Sequence, residues 1–557
     1  MLKTVLLSSM HRVFPQSCPE SGINSLSALG NEPVSFQIAF RSEAGKSGIC
    51  RAFVESDIPV SCYRVGYVPV THIKAEACDT PLEPGLFPDM LLPYDPNAAV
   101  EEYSDPWRTI RPAGREHQIY AADDCWNSMW FTVNEDGKRV SPGVYKIKIS
   151  FYTCIKTEKV GEETLTLTIF SALLPPQRLM HTSWFHCDSL SDFYRVPVYS
   201  ERFFEIFYSY AKTAARHGMN MIMLPALTPP LDTPIGHSRM NVQLVKIRKT
   251  GKKYEFDFSL MKRYIDTARK AGIKYFEHAH LFTQWGATCA PAVYAEVGGK
   301  EKQIFGWDVS SRSEKYLHFL RFYLKAFKQF MSEERLTVLF HISDEPFERD
   351  LDFYGAAAKM VRECMGDDCM MGDALSEYVF YEKGLVRMPI VATNHIDDFA
   401  GKCDNLWMYY TSEQSGEGFS NRTLLVSPAR NRSIGYQLFA YNAKGFLHWG
   451  YNYYYDYLSY GLFDPKTDPC GNSGCPGNSF LVYPGNNGEA IVSMRFKVFY
   501  EGICDERALR LLEKERGRNV CDALLAKHFG KVDIRSAVCD PMKILAFRHE
   551  LNELLNK

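Results

Sequence analysis

Between residues 34 and 40 apolar and small or polar side chains alternate with a period of two, which puts Val34, Phe36, Ile38 and Phe40 on one face of a half-buried strand. The alternation returns at Met129, Phe131 and Val133, at Tyr145, Ile147 and Ile149 after the Pro142-Gly143 turn, and at Leu165, Leu167 and Ile169. The N-terminal stretch also reads as a strand. Short strands divided by turn residues predict an N-terminal antiparallel β-sandwich over residues 1–174. It ends at Leu173-Leu174-Pro175-Pro176, where two prolines make a stiff connector.

Beyond the connector the period shifts to helical. Phe203, Phe204, Phe207, Tyr210, Ala211 and Ala214 share one face of a helix over 200–217, and Gly218 ends it. A short apolar strand follows at 221–224, and the segment 260–271 repeats the arrangement up to Gly272. Ser311-Arg312-Ser313-Glu314 reads as a capping box before a helix with a seam of Leu317, Leu320, Leu324, Phe327 and Met331. Strands are expected near 182, 221, 275, 336, 370, 389, 406 and 446, the number that closes a (β/α)₈ TIM barrel. The predicted organisation is a sandwich at 1–174, a barrel catalytic domain at 177–520 and a helical segment at 521–557 packed on the barrel.

Composition narrows the function. Sixty-four basic against sixty-six acidic residues leave a net charge of -2, so no broad positive field awaits nucleic acid. No apolar run is long enough to span a membrane. Sixteen cysteines without a CxxC pair or zinc spacing, together with an N-terminus lacking a cleavage site, point to the cytoplasm; a secreted protein with its leader removed is the alternative. Aromatic residues at 14% suit both cores and sugar rings.

In a barrel the chemistry sits where strands end. The fourth such window reads His341-Ile342-Ser343-Asp344-Glu345-Pro346. Adjacent acids are as frequent here as composition predicts, so position carries the argument: this pair ends a strongly apolar strand and meets a proline. One reading makes Asp344 or Ser343 the cap of a helix starting near Pro346. The other uses both acids. Neighbouring carboxylates are poorly placed to flank one glycosidic bond as acid and nucleophile, but they suit cleavage assisted by a 2-acetamido group. Asp344, ionised and helped by a helix N-terminus, would hold the amide; Glu345, its pKa raised, would be general acid and base.

The chain resembles glycoside hydrolase family 123 and the wider group designated domain of unknown function 4091, over nearly its whole length. The resemblance is carried by Asn31-Glu32-Pro33-Val34-Ser35-Phe36, Pro84-Gly85-Leu86-Phe87-Pro88-Asp89, Ser141-Pro142-Gly143-Val144-Tyr145 and Ser343-Asp344-Glu345-Pro346. Gly445-Phe446-Leu447-His448-Trp449, Tyr483-Pro484-Gly485 and the stretch from Ser493-Met494-Arg495 to Glu501-Gly502 extend it. It implies a β-sandwich joined to a (β/α)₈ barrel, N-acetyl-β-galactosaminidase activity as in characterised members, and the same roles for Asp344 and Glu345.

Substrate-binding candidates come from the other windows. Trp449 could floor a sugar ring, with Tyr451 beside it; Tyr409 could donate to the acetamido carbonyl; Asp373, Asn394 and His186 could meet hydroxyls. His278 and His280, two apart on a strand, raise a metal-dependent hydrolase as a second class, although no carboxylate stands at a clear ligand spacing. The reading therefore expects a carbohydrate substrate, no cofactor and no metal. A glycan-binding protein without catalysis is the third alternative, with Trp107, Trp126 and Trp130 as its candidate aromatics.

Overall fold

The computed structural model describes every residue except 20–21, 74–81, 97–99, 102–110, 113–117, 155–157, 417, 472–473 and 557; Trp107 lies outside the described residues. The alternating strands pair as two five-stranded sheets. One runs in the order Leu2–Ser8, Val34–Ser42, Asn127–Val133, Val60–Val70, Gly85–Tyr94, and the other Ser25–Leu29, Lys159–Phe170, Gly143–Thr153, Gly48–Glu55, Ile119–Ala121. Phe36, Ile38, Phe40, Met129, Phe131, Ile147, Ile149, Leu165 and Leu167 fill one core. Phe36 stacks on Phe131 with ring centroids 5.0 Å apart. One pairing departs from the antiparallel expectation: Ser25–Leu29 runs parallel to Lys159–Phe170. Trp130 is buried and belongs to the core of the following region, not to that of the two sheets.

The second region has mixed α and β content. Among the described residues, eight of its short strands form two parallel sheets instead of one closed ring: Met180–Ser183, Gly445–His448, Trp407–Tyr409, Ile390–Ala392 and Ala374–Leu375 in one, and Met221–Leu224, Tyr275–His278 and Val338–Phe340 in the other. The fifth strand lies at Ala374–Leu375, later than expected, and the helix after it is a single turn, Val379–Glu382. A 3-10 turn, Thr393–Asp398, is all that follows the sixth. Gly445 is required by packing, since a Cβ there would lie 2.1 Å from Trp407 Cδ2.

Local rules hold unevenly. The first long helix, Glu201–Arg216, is capped by Ser200, whose hydroxyl accepts from Phe203 N, and Gly218 takes φ +79° after it. The capping box at 311–314 does not form: the helix starts at Glu314 with Ser313 as an N-cap that makes no side-chain bond. Its buried face is Tyr316, Phe319, Leu320, Tyr323, Leu324, Phe327 and Phe330, so aromatic bulk rotates the helix away from the aliphatic seam and leaves Leu317 and Met331 only half-buried. Between the second and fourth parallel strands the chain also builds a four-stranded sheet from Lys246–Thr250, Lys253–Asp257, Val293–Val297 and Lys300–Phe305.

The chain closes with helices Met494–Arg516, Arg518–Phe529 and Pro541–Asn556. The last touches the sandwich as well, through Asn552 Nδ2 on Ser27 Oγ at 3.1 Å and Arg548 on Glu32. Among the described residues no helix is long and apolar enough to cross a membrane.

Candidate active site

The strand Val338–Phe340 delivers His341 into a fully buried position between two acids. His341 Nε2 lies 3.0 Å from Glu277 Oε2, and Nδ1 lies 3.4 Å from Asp373 Oδ1. Although burial pulls its pKa down, the two carboxylates outweigh that and hold it at about 10. His341 is thus a cation locked beneath the strand end.

Two residues on, Ser343 Oγ accepts from Gly286 N at 3.2 Å and Ala287 N at 3.1 Å and donates to Thr283 O at 2.8 Å. These bonds tie the loop after the third parallel strand to the exit of the fourth. Asp344 O then receives Trp285 N at 2.8 Å. The helix that Ser343 or Asp344 was to cap starts instead at Leu351, after a 3-10 turn at Glu348–Asp350. Asp350 Oδ2 takes Phe347 N there.

In an extended chain, neighbours point to opposite faces. Glu345 escapes that constraint with φ +43°, a left-handed conformation costly for a residue with a Cβ. Its N–H is held by Ala374 O at 3.1 Å. Asp344 and Glu345 consequently line the same cavity, of about 190 Å³. Tyr409 OH donates to Glu345 Oε1 at 2.6 Å. Burial, Glu345 and Asp373 together push the Asp344 carboxyl well above its usual range. This reverses the expectation of an Asp344 kept ionised by a helix N-terminus, because no helix begins next to it.

Of the residues proposed as substrate ligands, His186, Tyr409 and Trp449 line this cavity. His186 is neutral, its pKa lowered to about 3 by burial and by Arg239. Arg239 Nη2 donates to His186 Nδ1 at 3.0 Å, so the other ring nitrogen carries the proton and donates to Trp449 O at 2.8 Å. Arg239 is itself anchored on Asp188 at 2.6 and 2.7 Å. Three proposed ligands lie elsewhere. Asp373 is buried below the pair, accepting from Ile342 N and Tyr354 OH. Tyr451 is buried with its hydroxyl on Tyr210 O. Asn394 is exposed and bonded to Gln414.

The cavity also holds residues that sequence reasoning passed over. Trp184 and Trp285 add two indoles; Trp184 Nε1 donates to Glu277 Oε2 at 3.3 Å, and Trp285 is 43% exposed with φ +58°. Asp232, at φ +49°, is held by Gln284 and Tyr453, and burial raises its pKa to about 6. The available signal was position alone: Trp184 directly follows the first parallel strand.

His280, His341 and Asp373 place donor atoms close enough for a metal ion. The two imidazoles, however, stack at 4.7 Å with planes 18° apart, so an ion in the plane of one ring lies off the plane of the other. His341 is engaged by carboxylates on both sides, Glu277 at Nε2 and Asp373 at Nδ1. His278, the other histidine of the suggested pair, is engaged by Tyr323 OH at 2.6 Å.

An acid pair in an aromatic-walled cavity at the ends of parallel strands is the arrangement of a carbohydrate-processing enzyme. The chain belongs to glycoside hydrolase family 123: the model of the glycoside hydrolase 123 catalytic domain matches residues 184–512. Among solved structures, a family 123 glycoside hydrolase from Clostridium perfringens, described for glycolipid glycan hydrolysis, aligns with a TM-score of 0.73 at 14% identity, covering 100% of this chain and 98% of that one. That likeness is one of fold. A β-D-glucuronidase from Dictyoglomus thermophilum aligns at a TM-score of 0.33 and 8% identity, over 90% of this chain and 97% of its own, too weakly to bear on the fold. None of the curated proteins searched by sequence matches the chain.

Proposed function

We propose that the protein is a retaining glycosidase that removes a terminal β-linked N-acetylhexosamine, N-acetylgalactosamine by preference, through assistance from the substrate's own acetamido group. The observation that carries this reading is the convergence of Asp344 and Glu345 on one cavity, made possible by the left-handed backbone at Glu345. Glu345 would protonate the leaving oxygen and then take a proton from water. Asp344 would accept the acetamido N–H and steer the carbonyl oxygen onto the anomeric carbon, forming a cyclic intermediate that water opens. Trp184, Trp285 and Trp449 would pack against ring C–H groups.

We also read the two parallel sheets as arcs of one (β/α)₈ barrel, spanning 177–520 between a sandwich at 1–174 and a C-terminal segment at 521–557. Two links favour this: the parallel bridge Phe340 to Met371, and Asn220 N on His181 O at 3.1 Å.

The test is turnover of nitrophenyl N-acetyl-β-galactosaminide and its gluco epimer. Glu345→Gln should lower kcat by about 10²–10⁴ on a sugar leaving group and by less on nitrophenol, which needs less protonation. Asp344→Asn should lose rate on both. An unchanged rate in Asp344→Asn excludes assistance. Because Asp344 must be ionised to accept the N–H and starts with a raised pKa, kcat/KM should climb with pH at values above the ordinary carboxylate range.

A further inference from the structure

Among the described residues, the lining of the cavity that holds the acid pair includes three carboxylates, Asp232, Asp344 and Glu345, and no lysine or arginine. The lining histidine, His186, stays neutral, its pKa lowered to about 3 by burial and Arg239. Two cations lie behind the wall, and acids already hold both. Arg239 is buried with its guanidinium gripped by Asp188 at 2.6 and 2.7 Å. His341 is buried between Glu277 and Asp373. Asp232 lies near Arg239 as well, and near a further acid, Asp456. Its carboxylate accepts from Tyr453 OH and its N–H donates to Gln284 Oε1 at 2.7 Å, so it is fixed on the wall. Burial raises its pKa to about 6, which leaves it ionised at neutral pH. Each cation is thus outnumbered by the acids around it, and the field in the cavity is negative.

We propose that the cavity admits a neutral N-acetylhexosamine and rejects one whose ring carries a sulfate ester or a carboxylate, with Asp232 as the residue that discriminates. The inference rests on the glycosidase reading and narrows its substrate class. A volume of about 190 Å³ suits a single ring, so an anionic group on that ring lies beside the acids. Each like charge within roughly 10 Å then costs about tenfold in binding. Such an anion also meets none of the free guanidinium forks that ordinarily hold a sulfate or carboxylate. A sulfated N-acetylhexosamine must therefore pass through sulfate-ester hydrolysis before this chain acts on it.

Nitrophenyl N-acetyl-β-galactosaminide is compared with its 4-O- and 6-O-sulfates and with the mesylate at each position, a neutral group of nearly the same size. For the sulfates kcat/KM should fall at least about 100-fold, and for the mesylates less than about tenfold. Asp232→Asn should narrow the gap between sulfate and unsubstituted substrate about tenfold. Sulfates cleaved as fast as the unsubstituted substrate, mesylates that lose as much as the sulfates, or a gap that Asp232→Asn leaves unchanged would each overturn the proposal. If Asp232→Asn does not fold, Asp232→Ser takes its place. If wild type cleaves none of these substrates, the glycosidase reading fails by itself, and calorimetric titration with galactosamine and with galactose 6-sulfate reads the cavity directly. Tighter binding of the ammonium sugar upholds the selection by charge; the reverse order, equal affinity or no binding overturns it.

Discussion

Two groups of buried acids meet opposite fates in this molecule. Where the sandwich joins the rest of the chain, each has a cation. Arg432 grips Asp505 at 2.7 and 3.0 Å and Glu501 at 2.9 Å. Arg548 holds Glu32, and Arg495 binds Asp89 at 2.9 Å, with Tyr483 OH on the same carboxylate at 2.6 Å. In the cavity, Asp344 faces Glu345 and Asp373, and the nearby cation, His341, is already clamped by Glu277 and Asp373. The junction acids each meet a cation, whereas burial and its acidic neighbours push the Asp344 carboxyl well above its usual range.

That contrast predicts where a substitution costs stability and where it costs rate. Arg432→Met should have the largest effect, leaving Asp505 and Glu501 buried with their guanidinium gone. Urea unfolding should report a loss of about 3–5 kcal/mol, while the fraction still folded keeps its kcat/KM on an aryl glycoside. A loss of rate without a loss of stability would erase the distinction between the two groups. Tyr409→Phe probes the other side. It removes one hydroxyl from Glu345 Oε1 and little volume, so kcat should fall about tenfold, ~1.4 kcal/mol, with the unfolding midpoint nearly unchanged.

The same contrast marks what the sequence discloses. Several motifs that carry the family resemblance outside the cavity belong to the junction: Glu32 meets Arg548, Asp89 meets Arg495 and Tyr483, and Glu501 meets Arg432. Gly502 lies against Gly435, where a Cβ would come within 1.9 Å of the Gly502 carbonyl oxygen. Strands and long helices were legible because periods of two and 3.6 mark a buried face directly. The acid pair stood out because it ends an apolar strand. Neither strand limits nor direction was legible: Asp373 lies just before its strand, Ala374–Leu375, and Tyr451 lies beyond Gly445–His448, and both point into packed interior. Nor does sequence announce a left-handed backbone in a residue other than glycine. Asp232, Trp285 and Glu345 all adopt one, at φ +49°, +58° and +43°, and all three line the cavity. Their assembly depends on loops whose conformation is set by tertiary hydrogen bonds from Gln284, Ser343 and Ala374.

The smallest expected effect is also the most direct reading of the comparison. Asp344 has a folded-state pKa above its unfolded value, so between those two pH values the folded protein binds more protons than the unfolded chain, and stability falls as pH rises through the interval. Asp344→Asn removes the charge while keeping the shape, and the variant should melt about 1–2 °C above wild type at neutral pH, with the gap closing as acid protonates Asp344 in the wild-type protein. Thermal unfolding of both proteins across that range measures it. A gap of the opposite sign would mean that Asp344 is stabilised as an anion by its surroundings, and would place it with the structural acids.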